Sequence, residues 1–198
     1  MDKEKQLSEQ ESLRIIAEMI QLVKKDFYDT GISALMWGTV VGFCGLFCFL
    51  GISFNWDFNY FFVWNLTFIA LLPQIAIAIT ERRQRKAKEN IDTVSIIWIV
   101  FALIMFGLAL YTSVLKTVPS PSSLYLLVYT IPTLTTGIVR KFKAMIIGGF
   151  ICYICFIISC FTDYKIDMLL QSIAAISAWL IPGLILRHRY IKSTTKHV

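Results

Sequence analysis

Six runs of apolar residues alternate with short polar segments along this chain of 198 residues. A helix needs about 20 apolar residues to cross the hydrocarbon core of a bilayer, and each run approaches that length. The pattern therefore predicts an all-α fold, a bundle of six transmembrane helices arranged as three helical hairpins. The predicted membrane domain is 32–187, and its spans are 32–52, 60–80, 93–113, 122–139, 142–161 and 168–186.

Residues 8–30 have a different pattern, that of an amphipathic helix. Ser8 and Glu11 form a capping box, and the apolar residues after them recur at spacings of three and four. The opposite face is too charged to enter a bilayer. We expect residues 1–31 to form a cytoplasmic or interfacial helix that lies in the membrane interface, binds another membrane or cytoplasmic protein, or folds back under the bundle. The predicted partner-binding face is Ile16, Ile20, Val23 and Phe27.

The run 122–139 is the least apolar of the six, and the distribution of positive charge decides whether it spans. It contains Pro132, Gly137 and four threonines. Lysine and arginine are enriched on the cytoplasmic side of membrane proteins. With six spans, 17 lysines and arginines lie on one side: five in 1–31, five in 81–92, three in 140–143 and four after 186. Only Lys116 and Lys165 lie on the other side. Without this span the split becomes 11 against 8, a much weaker bias, so we predict that 122–139 crosses the membrane.

The chain carries a formal net charge of +6, and 57% of its residues are hydrophobic. A basic balance is also typical of nucleic-acid binding, but here the basic residues flank apolar runs, as membrane topology requires. We therefore expect the lipid bilayer as a partner and no nucleic acid. The predicted location is the inner (plasma) membrane, multi-pass, with both termini cytoplasmic and 188–198 forming a basic cytoplasmic tail.

Two sets of small residues in the first and fifth spans, a pair of glycines and the cysteines, each allow two interpretations. Gly38 and Gly42 have the spacing that lets two helices approach closely, either within the chain or in a homo-oligomer. All the cysteines lie in apolar runs, where they are typical of small packed residues. If the first and fifth spans touch, the outer cysteines would instead form a thiol cluster suited to a soft metal or a disulfide. The cysteines are Cys44, Cys48, Cys152, Cys155 and Cys160.

Ionisable chemistry is sparse in the predicted spans. Apart from Lys143 at the start of the fifth, no run contains Asp, Glu, His, Lys or Arg, the residues that mark proton relays and ion pathways in membranes. The chain also lacks the HExxH, GxSxG and P-loop patterns. We therefore predict no enzymatic activity, no catalytic residue, no cofactor and no metal site.

Neutral polar residues are the remaining candidates for a site. Thr130, Thr133 and Gly137 fall on one face of the fourth span, with Thr136 beside them. Either these residues form a polar groove at mid-depth, or they make hydrogen bonds between helices, which is the interpretation we favour. The candidate groove residues are Asn65, Gln74, Thr130, Thr133, Thr136 and Gln171.

Two stretches carry a resemblance to a known group of proteins, YTIPTLTTGIVRKFKAMIIGG at 129–149 and AWLIPGLILRHRY at 178–190. Together with LMWG at 35–38, they resemble uncharacterised small multi-pass integral membrane proteins of Bacteroidota-type bacteria. The resemblance extends over essentially the whole chain and implies the membrane architecture. Such proteins are often thought to sit beside small winged-helix regulators, which implies a regulatory or stress-linked role. The resemblance implies no catalytic residues.

The function that these patterns favour is that of a non-enzymatic integral inner-membrane protein acting through partners, as a scaffold, sensor or regulatory subunit. The apolar face of the N-terminal helix and the scarcity of ionisable residues in the spans both point there. The alternative is a channel or carrier for a neutral or lipid-like solute, with the threonine face of the fourth span as its path. An enzyme acting on lipids is third, because no general acid, base or metal set is visible.

Overall fold

The computed structural model describes residues 30–84, 93–114 and 121–195, which form helices and connecting turns with no strand among them. Each of the six apolar runs falls on a helix. The face Ile16, Ile20, Val23 and Phe27 lies outside the described residues. The elements are α1 (Ile32–Ser53), a 3₁₀ turn (Tyr60–Trp64), α2 (Asn65–Gln84), α3 (Thr93–Val114), α4 (Pro121–Val139), α5 (Lys143–Ser159), α6 (Tyr164–Ala175), a π-helical segment (Ile176–Leu180) and α7 (Ile181–Thr195).

One long helix forms the middle of the molecule. Since α6, the π-helical segment and α7 follow one another without a break, we call them together the central helix. It packs against α1 on one side and against α4 and α5 on the other. Its core positions are small, and Ala174, Ala175 and Ala178 are fully buried. Small residues allow neighbouring helix backbones to come close, which is how helices associate inside membranes.

Glycines on α1 supply the matching small face. A Cβ added at Gly38 would lie 2.5 Å from the backbone nitrogen of Leu180, and one at Gly45 would lie 2.7 Å from the Ser172 hydroxyl. Gly42 is less crowded, because its nearest neighbour is a side-chain carbon of Ile176 at 3.3 Å. Gly38 and Gly42 therefore pack against the central helix of the same chain.

Helices α2 and α3 lie at the edges of the bundle. α2 packs on α1 and on the 3₁₀ turn, and α3 packs on α4. Both helices expose large apolar side chains, which is the surface expected of helices that face lipid. On α2 these residues are Leu66, Phe68, Ile69, Leu71, Leu72, Ile75 and Ile79, and on α3 they are Ile96, Ile99, Val100, Leu103, Ile104 and Phe106.

Three helical stretches in the described part of the chain are long and apolar enough to cross a membrane: Ile32–Ser53, Tyr60–Glu81 and Tyr164–Lys192. Three further apolar helices are shorter, namely Val94–Phe106, Ser123–Val139 and Lys143–Ser159. The molecule is thus an all-helical protein with three helices of membrane-spanning length and composition. Six membrane crossings remain a prediction.

The start of the central helix differs from the start predicted for the sixth span. That span was expected to begin at 168, which would leave Asp167 in a turn. The helix begins at Tyr164, so Asp167 lies in its first turn, and its exposed fraction is 0%. The apolar run did not mark this boundary because the helix starts with a polar turn, after Asp163 at the N-cap. A buried carboxyl group therefore belongs to the bundle, contrary to the expectation from the apolar runs.

Candidate functional site

The threonine face of α4 points into the bundle. Thr130, Thr133 and Thr136 are buried, whereas Thr135 is exposed, as a helical period of 3.6 residues requires. The Thr130 hydroxyl donates to the Leu126 carbonyl over 3.0 Å, and the Thr133 hydroxyl donates to the Tyr129 carbonyl over 2.8 Å. Each bond runs back one turn along the same helix, a pattern that lets a hydroxyl be buried in apolar surroundings.

Two side-chain hydrogen bonds join α4 to the central helix. The indole Nε1–H of Trp179 donates to the Thr133 hydroxyl over 3.0 Å, and Nε2 of Gln171 donates to the Tyr129 hydroxyl over 3.3 Å. The rings of Tyr129 and Trp179 also touch, with centroids 4.8 Å apart. We call these residues, with Thr130 and Thr136, the polar seam. The two bonds between the helices satisfy buried polar groups that would be costly without a partner.

Aromatic side chains from α3 cover the polar seam on its outer side. The ring centroids of Trp98 and Phe101 lie 6.5 Å and 6.4 Å from that of Trp179, and Phe101 lies 6.2 Å from Tyr129. Trp98 and Phe101 are themselves partly buried. Helix α3 therefore packs on the bundle through these rings, which cover Tyr129 and Trp179 on the side that faces α3.

One hydroxyl in the seam differs from the rest. The Thr136 Oγ1 atom is buried and has no hydrogen-bond partner among the described residues. Thr136 lies one turn beyond Thr133 on α4, beside Gly137, where a Cβ would lie 2.9 Å from the Ile146 nitrogen of α5. Chemically the seam offers hydroxyl, amide and indole groups, all neutral at ordinary pH. It can hold a neutral polar group by hydrogen bonding, and it contains no acid–base pair.

The structure brings together four of the six predicted groove residues and leaves two elsewhere. Thr130, Thr133, Thr136 and Gln171 belong to the polar seam. Asn65 is exposed and donates to the Phe62 carbonyl of the preceding 3₁₀ turn. The Gln74 Oε1 atom accepts from Trp37 Nε1 over 3.0 Å, so it joins α2 to α1.

Two members of the seam were not anticipated, Tyr129 and Trp179. The available signal was that each carries a polar group in the middle of an apolar run. Buried tyrosine hydroxyls and tryptophan N–H groups usually find a partner. That rule indicates that such residues have partners, but it does not say which polar residue each one meets.

A second group of polar side chains lies at the far end of the bundle, near the start of the central helix. The Thr162 hydroxyl donates to Asp167 Oδ1 over 3.1 Å. One turn further on, the Ser172 hydroxyl donates to the Gly42 carbonyl over 2.8 Å and so joins the central helix to α1. Asp167 occupies the first turn, where the helix dipole favours a negative side chain.

The five cysteines are free thiols, and four of them donate to neighbouring carbonyls. Cys44 and Cys48 donate to the Val63 and Tyr60 carbonyls of the 3₁₀ turn, over 3.3 and 3.8 Å, and Cys152 donates to the Leu126 carbonyl over 3.3 Å. The structure contains no disulfide among them. In the described ranges, no group of three or more His, Cys, Asp or Glu side chains is arranged to hold a metal ion. The thiols of α1 and α5 therefore have different partners and do not form one cluster.

No family model, no curated protein and no solved structure matches this chain. Its function has to be inferred from its own residues.

Proposed function

We propose that this chain is a multi-pass protein of the inner membrane that acts through a partner protein and not by catalysis. In this proposal all six helical regions cross the bilayer and both termini face the cytoplasm. The partner binds the apolar face of residues 8–30, and the membrane domain serves as a scaffold, sensor or regulatory subunit.

The distribution of charge supports this orientation. Lys141 and Lys143 lie where α4 meets α5, and Arg187 and Arg189 lie on α7 at the same end of the bundle. At the opposite end the described basic residue is Lys165, near the start of the central helix. Positive residues face the cytoplasm in short loops, so the end with α7 is the cytoplasmic one.

The single observation that carries the proposal is the junction between residues 8–30 and the bundle. Thr30 and Gly31 are buried. The Thr30 hydroxyl donates to Glu81 Oε1 over 2.8 Å, at the end of α2. Gly31 has a φ of 71°, and a Cβ added there would lie 2.6 Å from the Gly183 carbonyl of α7. The residues that lead into α1 are thus held against α2 and α7.

This junction gives a partner a direct mechanical connection to three helices. A protein bound to residues 8–29 pulls on Thr30 and Gly31, and these residues contact α1, α2 and α7 at once. A side chain at Gly31 would be strained, because its φ is positive and a Cβ there would meet backbone atoms of Gly183 and Arg187. Such a rigid link suits a subunit that reports on, or responds to, what is bound at its N-terminal helix.

The polar seam supports the non-catalytic part of the proposal. Two hydrogen bonds cross between helices in the seam, from Trp179 to Thr133 and from Gln171 to Tyr129. These polar groups therefore stabilise the bundle. Catalysis by side chains requires a nucleophile or base that converges with an acid or an electrophile on a substrate. The neutral groups of the seam are suited to packing.

The test replaces apolar residues on the predicted partner-binding face with charged ones. Ile16→Glu together with Val23→Glu is expected to remove a specific co-purifying protein after mild-detergent extraction from the native membrane. Gln21→Glu is the control, because it adds a negative charge on the opposite, polar face. The proposal fails if every co-purifying protein is retained by the double variant, provided that both variants reach the membrane at wild-type levels.

A channel or carrier for a neutral or lipid-like solute is the second candidate. Two observations favour it, the unpartnered Thr136 hydroxyl and the break in regular helical bonding where the π-helical segment meets the buried Pro182. π-helical segments occur frequently at functional sites. Thr133→Val should then change the solute flux into liposomes that contain equal amounts of folded protein. Absence of flux for a broad panel of neutral solutes would exclude this candidate.

A further inference from the structure

The turn between α4 and α5 meets α7 in one corner of the bundle. Phe142 is buried there with Met145 and Leu186. The guanidinium carbon of Arg189 lies 5.3 Å from the centroid of the Phe142 ring, a cation–π contact. This contact places the charge of Arg189 beside the turn, although Arg189 is far from it in sequence.

Four exposed cations surround that corner. Lys141 and Lys143 flank Phe142, and Lys192 follows Arg189 by three residues on α7, so the two share a face. Lys141 has a φ of 51°, the left-handed conformation that closes the turn. We call Lys141, Lys143, Arg189 and Lys192 the basic corner.

Three of the four acidic residues in the described ranges lie far from the basic corner. Asp57, Asp163 and Asp167 are at the opposite end of the helices, and Asp167 is about 33 Å from Arg189 along the central helix at 1.5 Å per residue. The fourth, Glu81, is on α2 and accepts a hydrogen bond from Thr30. The first turn of α5 adds further positive character, because its N-cap residue, Phe142, makes no side-chain cap.

An apolar stripe runs down α5 directly from the basic corner. Starting at Lys143, every third or fourth residue is exposed: Ile147, Phe150 and Ile154 have exposed fractions of 60%, 57% and 53%. A cation at the end of such a stripe lies at the depth of lipid headgroups, and the stripe lies at the depth of the acyl chains. The surface therefore has a charged end and an apolar stripe, as a phospholipid has a charged headgroup and apolar acyl chains.

We propose that the basic corner binds an anionic phospholipid of the cytoplasmic leaflet. The phosphate lies between Lys143, Arg189 and Lys141, and one acyl chain follows Ile147, Phe150 and Ile154. Basic pockets between helices on the cytoplasmic side are a known means of binding such headgroups. The inference rests on the proposed membrane orientation but not on the proposed protein partner.

The experiment measures lipid binding to the purified full chain in detergent by native mass spectrometry. The probes are phosphatidylglycerol and phosphatidylcholine with identical acyl chains. The wild-type protein should retain phosphatidylglycerol preferentially. Lys143→Gln with Arg189→Gln should weaken phosphatidylglycerol binding by at least about tenfold, because each basic residue near an anionic lipid contributes to its affinity. Phosphatidylcholine binding should not change.

Two controls separate a lipid site from general effects. Lys165→Gln removes one cation at the other end of the bundle and should leave the preference intact. Lys143→Arg with Arg189→Lys keeps both charges and should bind as the wild type does, which shows that the corner can be altered without unfolding the chain. Inorganic phosphate added in excess should not displace the lipid.

Three outcomes would overturn the inference. Equal binding of both lipids by the wild type would mean that the corner does not recognise anionic headgroups, as expected if it docks an acidic protein. Displacement by inorganic phosphate would mean that it takes a free anion. Equal losses in Lys165→Gln and in the double Gln variant would mean that overall charge, and not the corner, attracts the lipid. None of these outcomes bears on the partner proposed for residues 8–30.

Discussion

The indole N–H of Trp179 donates to the Thr133 hydroxyl over 3.0 Å and ties the central helix to α4. Both residues are buried, so Thr133→Val leaves the indole N–H without an acceptor in apolar surroundings. We expect the variant to lose about 1–3 kcal/mol of stability, the usual cost of an unsatisfied buried group. Thermal unfolding in detergent, monitored by tryptophan fluorescence, measures the loss.

Thr135→Val is the control for that prediction, because Thr135 is on the same helix but exposed, and its hydroxyl bonds only to the Ile131 carbonyl of its own helix. It should be close to neutral. Adding Trp179→Phe to Thr133→Val should cost less than the sum of the two single changes, since both partners are then removed. Additive losses would show that the bond contributes little.

Gly38 and Gly42 should respond differently to alanine, although they are one turn apart on α1. Gly38→Ala places a methyl group against the backbone of Leu180 and should cost about 1–3 kcal/mol, the usual range for overpacking. Gly42→Ala meets the Ile176 side chain at 3.3 Å and the nearest backbone atom, the Ser172 carbonyl oxygen, only at 3.9 Å, so it should cost less. Melting temperatures in detergent compare the two variants. If Gly38→Ala changed the oligomeric state while its melting temperature stayed the same, Gly38 would lie at an interface between chains.

Asp167 should be important for stability because its buried carboxyl group accepts a hydrogen bond from Thr162. Asp167→Leu removes the acceptor and the favourable charge at the start of the central helix, and should lower stability by about 1–3 kcal/mol. Asp167→Asn keeps an acceptor oxygen and should lose less. Asp163→Asn, at an exposed residue that makes no side-chain cap, is the control and should be near neutral. The same unfolding assay serves, and equal effects of all three would contradict the role of Asp167.

The membrane topology can be tested with two cysteines placed at opposite ends of the bundle. In a Cys160→Ser background, Lys165→Cys should react with a membrane-impermeant maleimide in intact spheroplasts. Lys141→Cys should react only after the membrane is opened, because in the proposed topology α4 carries the chain back to the cytoplasm. If α4 does not cross, residues 141 and 165 exchange sides, and the labelling pattern reverses. The test therefore shows on which side of the membrane residues 141 and 165 lie, and, for a chain whose N-terminus is cytoplasmic, whether α4 crosses.

The positions of the helices followed from the apolar runs, but their neighbours did not. A helix of a water-soluble protein has one apolar face, whereas in a membrane helix the face toward lipid is as apolar as the face toward other helices. Leu126, with an exposed fraction of 0%, and Ile147, with 60%, cannot be told apart by hydrophobicity. For the same reason, the sequence could not predict that the helix beginning at Tyr164 lies in the middle of the bundle.

The candidate site was predictable to the extent that polar residues share a helix face. The spacing of Thr130, Thr133 and Thr136 was sufficient to group them. Gln171 joined them only through a contact with Tyr129 that lies 42 positions away, and Asn65 met a local carbonyl instead. A single polar residue in an apolar run can bond within its own helix or across to another, and the difference depends on tertiary packing.

The close contact between α1 and the central helix has a consequence for how the protein is made. The Ser172–Gly42 hydrogen bond joins residues 130 positions apart, so α1 is synthesised long before the helix that covers its glycine face. In the proposed six-span topology, that face lies beside lipid or the insertion machinery until residue 180 has been synthesised. Assembly of the bundle is then a late event that follows insertion, and α1, α4 and α5 enter the membrane before their common neighbour.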